Sequence, residues 1–283
     1  MKIENVVTII KNPRLAGQYG RWIFEKRFLG RAPQKRIRDS VTIGGFSGFS
    51  EYLAVENFMA ENEYQFFRNH TFGPGCIVDV GANIGVLSLF LANRFPDRTI
   101  HAIEPNPFTA RSLADNVALN RAQNVLISEL AVANKAGSIR FSADPVSRGT
   151  ASIASTDHQS AIEVPCTTLD KFVADQSIQQ IALLKVDVEG YETLVFRGAI
   201  RTLEQLKPSV IYFEVFPEAT TAAGFDPEEP SRILKENGYR LYELGKNGDL
   251  RPVELSYING IQSSNWVACQ SCPSYLNKAE DLR

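Results

Sequence analysis

The segment from Cys76 to Gly85 (CIVDVGANIG) constrains the fold of this chain more than any other. Ile77–Val80 is a short β-branched run, and the helical apolar spacing of Val86–Phe95 starts directly after Gly85. A strand that turns straight into a helix must reverse within a few residues. Gly81 and Gly85 lack a Cβ, so they admit the unusual backbone angles of such a turn and let a ligand lie against the chain. In open parallel sheets ligands sit outside the carboxyl ends of the strands, which makes this turn a candidate binding site.

The rest of the chain repeats the pattern. Thr99–Ile103, Val125–Leu130, Ala182–Val188 and Ser209–Val215 read as further core strands. Thr109–Asn120, Tyr191–Leu203 and Glu228–Asn237 read as the helices between and after them, and Tyr239–Leu244 and Trp266–Cys269 as the last two strands. Strands alternating with helices of ten or more residues predict βαβ units and a parallel sheet. Ser138–Ser142 and Ile162–Thr167 read as short strands around the polar stretch Ser147–Ser160. A loop of that length is read either as a lid over the substrate or as plain surface. Glu51–Asn69, free of Gly and Pro and carrying Leu53, Phe58, Tyr64, Phe66 and Phe67, predicts one helix.

The spacing of the glycines narrows the ligand. A dinucleotide fingerprint requires G-x-G-x-x-G, whereas this turn reads G-x-x-x-G with Ala82, Asn83 and Ile84 between. A pyrophosphate cradle is therefore disfavoured. Asp79 places a carboxylate beside the turn, where it repels a phosphate and suits an ammonium group. Glu104 closes the second strand 25 residues after Asp79, the place from which an acid accepts the hydroxyls of a ribose. A ribose acceptor beside an ammonium-friendly, phosphate-poor turn points to an adenosyl amino acid, and S-adenosylmethionine meets both conditions.

Charge and composition exclude several classes. With 283 residues, 44% hydrophobic and 22% charged, the chain has the balance of a globular protein with a sizeable core. No apolar run approaches the ~18–20 residues of a membrane span. The net charge of -2 hides an asymmetry: residues 1–40 hold ten Lys or Arg against three acids, a net +7, which leaves -9 on the remainder. An acidic body lacks the basic track that nucleic acid requires. Cys76, Cys166, Cys269 and Cys272 are sparse, and His70, His101 and His158 are scattered, so no metal-ligand set is assigned. Few cysteines and no recognisable leader lead to the expectation of a cytoplasmic protein. Residues 1–50 read as a basic N-terminal extension, partly helical, with Ile23, Phe24 and Phe28 as an apolar stripe; residues 51–283 read as a single catalytic domain. The extension is read as a solvated or oligomerising helix, or as a peripheral contact with an anionic membrane. The oligomeric state is left open.

These segments, with several others, resemble the FkbM family of S-adenosylmethionine-dependent methyltransferases. Ile77–Gly85 is similar to the family's first motif in its Gly-Ala-Asn-x-Gly form, and Ala102–Pro107 (AIEPNP) to its ribose-binding motif. Thr168-Leu169-Asp170, Leu184–Glu192 (LKVDVEGYE) with Arg197-Gly198-Ala199, and Ile211–Glu214 (IYFE) extend the resemblance. Ala131–Asn134 departs from it, reading Ala-Val-Ala-Asn where the family usually has Ala-Leu-Ser-Asp. The resemblance runs from Glu61 to Tyr242 and implies a Rossmann-like class I methyltransferase fold: an α/β, mostly parallel seven-stranded sheet with helices on both faces. It implies methyl transfer from S-adenosylmethionine, usually to a hydroxyl of a sugar, glycolipid or secondary metabolite. By position, Asp79, Gly81, Asn83 and Gly85 would surround the methionine part, Glu104 would hold the ribose, and Asn106 would contact the adenosine.

The carboxylates after the fourth and fifth strands complete the prediction. Asp187 and Glu189 follow the fourth strand and Glu214 lies near the end of the fifth, so a parallel sheet brings them to one rim. Methyl transfer to an alcohol needs alignment and removal of a proton, and a positioned base typically contributes ~10²–10⁴-fold. Asp187 is the first candidate base, with Glu189 and Glu214 next; the same oxygens would alternatively suit Mg²⁺. Glu192 reads as a solvated helix residue and Lys185 as a snorkelling or salt-bridged one. Two other functions use such a sheet: a nicotinamide-dependent oxidoreductase, which the glycine spacing disfavours, and a cofactor-binding module without turnover.

Overall fold

The computed structural model of the chain describes residues 13–28, 30, 32–46, 48–55, 59–142 and 161–270. The loop Ser147–Ser160, Cys272 and the first twelve residues of the basic extension lie outside the described residues. The described residues begin with helix α1 (Pro13–Arg27), a hairpin of β1 (Lys35–Arg36) and β2 (Thr42–Ile43), and helices α2 (Phe49–Ala54) and α3 (Glu61–Asn69). The alternating part follows: β3 (Cys76–Val80), α4 (Val86–Arg94), β4 (Ile100–Ile103), α5 (Pro107–Asn120) and β5 (Val125–Ser128). After it come β6 (Ala131–Val132), β7 (Gly137–Ser142), β8 (Ala161–Thr167), α6 (Leu169–Asp175), β9 (Ile181–Val186), α7 (Glu192–Arg197) and β10 (Val210–Val215). The chain then runs through α8 (Pro217–Ala222), α9 (Glu229–Glu236), β11 (Arg240–Leu244), β12 (Leu250–Pro252) and β13 (Ser264–Cys269).

The central sheet has the order β12-β11-β13-β10-β9-β3-β4-β5. β10, β9, β3, β4 and β5 pair in parallel, while β13 runs antiparallel between β10 and β11. The seven expected strands are all present. The eighth, β12, pairs antiparallel at the edge, and its three residues are too few to announce themselves by alternation. Its Pro252 fits an edge, where no ladder N–H is required. Every residue of β9 is buried, the mark of a parallel strand covered on both faces. One face carries a cluster that includes Ile77, Leu89, Leu113 and Leu183 and is roofed by α4 and α5. The other carries Val78, Phe172, Phe196, Phe213 and Trp266 and is roofed by α6, α7 and α9. β6, β7 and β8 form a separate small sheet in which β8 is central.

Residues ahead of β3 are tied into this body. Val41, Ile43, Phe46, Phe49, Tyr52 and Val55 belong to the first of the two clusters. The Thr42 and Gly44 N–H groups donate to the side chains of Asn120 and Asn116 on α5, each at 2.8 Å. The single helix expected over Glu51–Asn69 is two helices. Extended Ala60 separates them, and the Glu63 carboxylate accepts the Ala60 N–H at 2.5 Å, which starts α3 afresh. The apolar stripe of α1 also differs from expectation. Tyr19 and Trp22 turn inward against Phe49, while Phe24 and Phe28 face outward.

Candidate active site

The turn after β3 is built by backbone hydrogen bonds between strand ends. The Gly81 and Ala82 N–H groups both donate to the Ile103 carbonyl (2.9 and 3.0 Å), and the Asp187 N–H donates to the Val80 carbonyl (3.1 Å). Gly81 has φ +82°, and a Cβ there would stand 1.8 Å from the Asp187 carbonyl oxygen. The space that this glycine leaves is thus filled by the neighbouring strand end, which locks β3 to β9. Asn83 also sits in the left-handed region (φ 52°), which Asn tolerates better than other side-chain-bearing residues. Its own Oδ1 accepts the Ile84 N–H at 2.8 Å.

Register places a charged row on one face of the sheet. Asp79 is opposite Lys185 in the β3–β9 pair, and Lys185 is opposite Tyr212 in the β9–β10 pair. The Lys185 ammonium lies 3.1 Å from Asp79 Oδ1 and 3.6 Å from Asp187 Oδ2, and donates to the Gly81 carbonyl at 2.6 Å. Ser88 Oγ donates to Asp79 Oδ2 at 2.6 Å, so the Asp79 carboxylate is committed below the turn. Burial opposes the Lys185 charge, but Asp79 and Asp187 outweigh it and raise the ammonium above its ordinary pKa. The fully buried Tyr212 hydroxyl donates to Glu63 of α3, which also accepts from Asn265 Nδ2 of β13 at 2.8 Å. Burial raises the Glu63 carboxyl, although the Tyr212 hydroxyl and the Ala60 N–H oppose the shift.

Above the row lies a cavity of about 330 Å³. Gly81, Asn83, Glu104, Asp187 and Glu189 line it, as the sequence predicts for one rim, together with Met59, Glu63, Phe67, Lys185 and Tyr212. The last five come from an early helical region or from mid-strand positions, and sequence reasoning either missed them or gave them no part in the site. An apolar cleft of about 40 Å³ adjoins it, sharing Gly81, Pro105 and Val188 and adding Ile103, Leu130 and Tyr191. Glu104 accepts the Asn83 N–H on Oε2 and the Asn106 N–H on Oε1, each at 2.9 Å. Its burial pushes the carboxyl up to about 7 despite those donors. Glu189, at φ 55°, is pushed up to about 7 by burial and by the nearby Asp187.

The other predicted residues lie around the cavity rather than on it. Gly85 (φ +90°) packs against Leu113, whose Cδ1 would be 2.4 Å from an added Cβ. Asn106 is fully buried as the N-cap of α5, its Oδ1 accepting the Phe108 N–H at 3.0 Å. Glu214 is mostly buried, and its Oε2 has no hydrogen-bond partner among the described residues. Burial, then the charges of Asp187, Glu189 and Glu192, push its carboxyl up to about 9. Glu192, expected on a solvated face, is 1% exposed instead. Its Oε1 accepts the Val188 N–H (3.0 Å) and the Gly190 N–H (3.4 Å), which braces the turn that carries Glu189. The signal for this was a carboxylate two residues beyond a glycine at a strand end. Among the described residues no group of three or more His, Cys, Asp or Glu is arranged to hold a metal ion.

Comparison with known proteins meets the same segments. A family model of the methyltransferase FkbM domain matches residues 79–241. Methyltransferase sdnD of Sordaria araneosa is 25% identical, over 66% of this chain and 85% of its own. Hexuronic acid methyltransferase AglP of Haloferax volcanii is 26% identical, over 56% of this chain and 60% of its own. The 31-O-demethyl-FK506 methyltransferase FkbM of Streptomyces tacrolimicus is 29% identical, over 44% of this chain and 60% of its own.

Proposed function

This chain belongs to the FkbM methyltransferase family, and from that premise we propose that it moves the methyl group of S-adenosylmethionine onto a hydroxyl of a sugar, glycolipid or secondary metabolite. The observation that carries the reading is the charge of the cavity. Glu63, Glu104, Asp187 and Glu189 line it with one ammonium, that of Lys185. Burial first, with neighbouring acids adding to it, pushes three of these four carboxyls upward in pKa, so the site accommodates their negative charge poorly without a counter-charge. A positively charged ligand relieves that load, and S-adenosylmethionine brings both a sulfonium and an ammonium. When bound, it supplies a methyl carbon already attached to a positively charged leaving group.

The chain's own residues divide the remaining work. Glu104 spends one lone pair of each oxygen on a backbone N–H and retains others for the ribose hydroxyls. The adjoining apolar cleft suits a flat base. Glu189, at about 7, is best matched to take a proton from an acceptor hydroxyl near neutral pH. Asp187, first in the sequence reading, is drawn toward Lys185 and is suited to orienting the acceptor. Glu214, at about 9, keeps its proton at neutral pH. The names of the relatives support an oxygen acceptor: one is a hexuronic acid methyltransferase and another a 31-O-demethyl-FK506 methyltransferase.

A thermal-shift titration tests the reading. S-adenosylmethionine and S-adenosylhomocysteine should stabilise the protein and NAD should not; the reverse pattern overturns it. Glu104→Ala should weaken S-adenosylmethionine binding, and unchanged affinity refutes the ribose role. Glu189→Gln and Asp187→Asn should lower turnover while binding survives, read by homocysteine release in an acceptor screen.

A further inference from the structure

One face of α1 takes no part in the chemistry above. The helix meets the body through Tyr19 and Trp22, whose rings lie 4.9 and 5.8 Å from that of Phe49. At 3.6 residues per turn, Phe24 and Phe28 fall on the opposite side. Phe28 stands one residue past the helix but still donates its N–H to the Phe24 carbonyl at 2.9 Å. The two rings stack at 5.7 Å and are 53% and 71% exposed. On the same projection Arg21 and Arg27 flank the pair, one on each side, and both are exposed. Glu25, the one acid of α1, is engaged by Arg21 at 2.8 Å, and Lys26 lies over the Trp22 ring at 4.9 Å.

An aromatic pair between two arginines selects an occupant that is apolar beneath and negative at its surface. Residues 1–40 carry +7 on a chain whose remainder carries -9, and α1 itself carries Arg14, Arg21, Lys26 and Arg27 against the single acid Glu25. Among the described residues no helix is long and apolar enough to cross a membrane, so the helix would lie along a surface rather than through it. We propose that this face of α1 docks on an anionic lipid bilayer, with Phe24 and Phe28 sunk among the headgroups and Arg21 and Arg27 on lipid phosphates and carboxylates. The opposite face, through Tyr19 and Trp22, then holds the methyltransferase body against the membrane. The inference does not rest on the identity of the methyl acceptor.

Vesicle co-sedimentation of the full chain tests it, with phosphatidylcholine vesicles and with vesicles containing a third phosphatidylserine. The wild type should sediment with the anionic vesicles, weakly with the neutral ones, and less as salt is raised. Phe24→Ser/Phe28→Ser should reduce binding by about tenfold or more, and each of Arg21→Gln and Arg27→Gln by about fivefold. Because these side chains are exposed, circular-dichroism melting should be unchanged, which separates lost docking from lost folding. Equal partition to both vesicle types, or binding that survives the double substitution, overturns the proposal. So does absence from both pellets. If light scattering then finds a dimer that Phe24→Ser/Phe28→Ser dissociates, a second copy covers the face instead.

Discussion

Replacing Lys185 by Met measures how strongly the charged row holds the sheet together. Lys185 has two anionic neighbours, but they are not equivalent. The Asp187 side chain is 41% exposed and regains water when the ammonium leaves, so its loss is that of a surface pair, about 0–1 kcal/mol. The Asp79 side chain is 1% exposed and would keep only the Ser88 hydroxyl. Breaking a buried pair from one side leaves an uncompensated charge, at about 3–5 kcal/mol. Lys185→Met should therefore lower unfolding stability by about 3–5 kcal/mol at neutral pH, measured by urea denaturation. Asp79→Asn in the same chain removes the stranded charge and keeps an acceptor for Ser88. The double variant should return to within about 1–2 kcal/mol of wild type, a coupling far outside additivity. A single-variant loss below about 1 kcal/mol, or an additive double variant, would refute the argument that Asp79 and Lys185 form one buried unit.

Three further outcomes follow from the same geometry. Glu104, Glu189 and Glu192 stand at about 7 and Glu214 at about 9, against about 4.5 in the unfolded chain. The folded form then binds more protons between those values, so stability without ligand should fall as pH rises from about 5 to 9; a urea midpoint that rises across that window contradicts the assignment. Gly81→Ala forces a Cβ onto the Asp187 carbonyl at a positive φ, and should lose more than about 3 kcal/mol or fail to fold. A melting temperature equal to wild type would show that the two strand ends are not locked there. Glu192→Ala should cost about 1–3 kcal/mol by stranding the Val188 and Gly190 N–H groups, whereas Glu192→Gln, which keeps an acceptor, should recover most of it. Equal losses in the two variants would refute the bracing role.

Much of the fold was legible because its strands are buried on both faces. A run such as Ile181–Val186 must be apolar almost throughout, and such runs stand out between helical stretches. Gly81, Asn83, Glu104, Asp187 and Glu189 were legible as neighbours on one cavity because each follows a strand end, where a parallel sheet gathers them. Glu63 was not. It meets Tyr212 across 149 residues and Asn265 across 202, and no local pattern encodes such a meeting. Tyr212 was hidden inside an ordinary apolar strand, its role set by register alone. Lys185 was read as snorkelling or salt-bridged; the ion pair with Asp79, and its place in the cavity wall, depend on the pairing of β9 with β3. The hairpin and β12 escaped notice because strands of two or three residues carry no period. The break between α2 and α3 depends on the Glu63 cap rather than on any glycine or proline.

Glu63, Met59 and Phe67 belong to a stretch that precedes residue 79, where the family match begins, yet they form part of the cavity wall. The pocket is therefore divided between two stretches of sequence, one inside the family match and one ahead of it. The two stretches are joined by side chains: Glu63 accepts from Tyr212 of β10 and Asn265 of β13, and the buried Phe67 ring lies 4.8 Å from that of Tyr212. An engineer reshaping this wall would begin at Met59, the one of the three with no bond or ring contact to the sheet described above, and leave Glu63 and Phe67 in place. A fragment cut to the family boundary would lose that side of the pocket, and would leave the buried Tyr212 hydroxyl without its carboxylate partner.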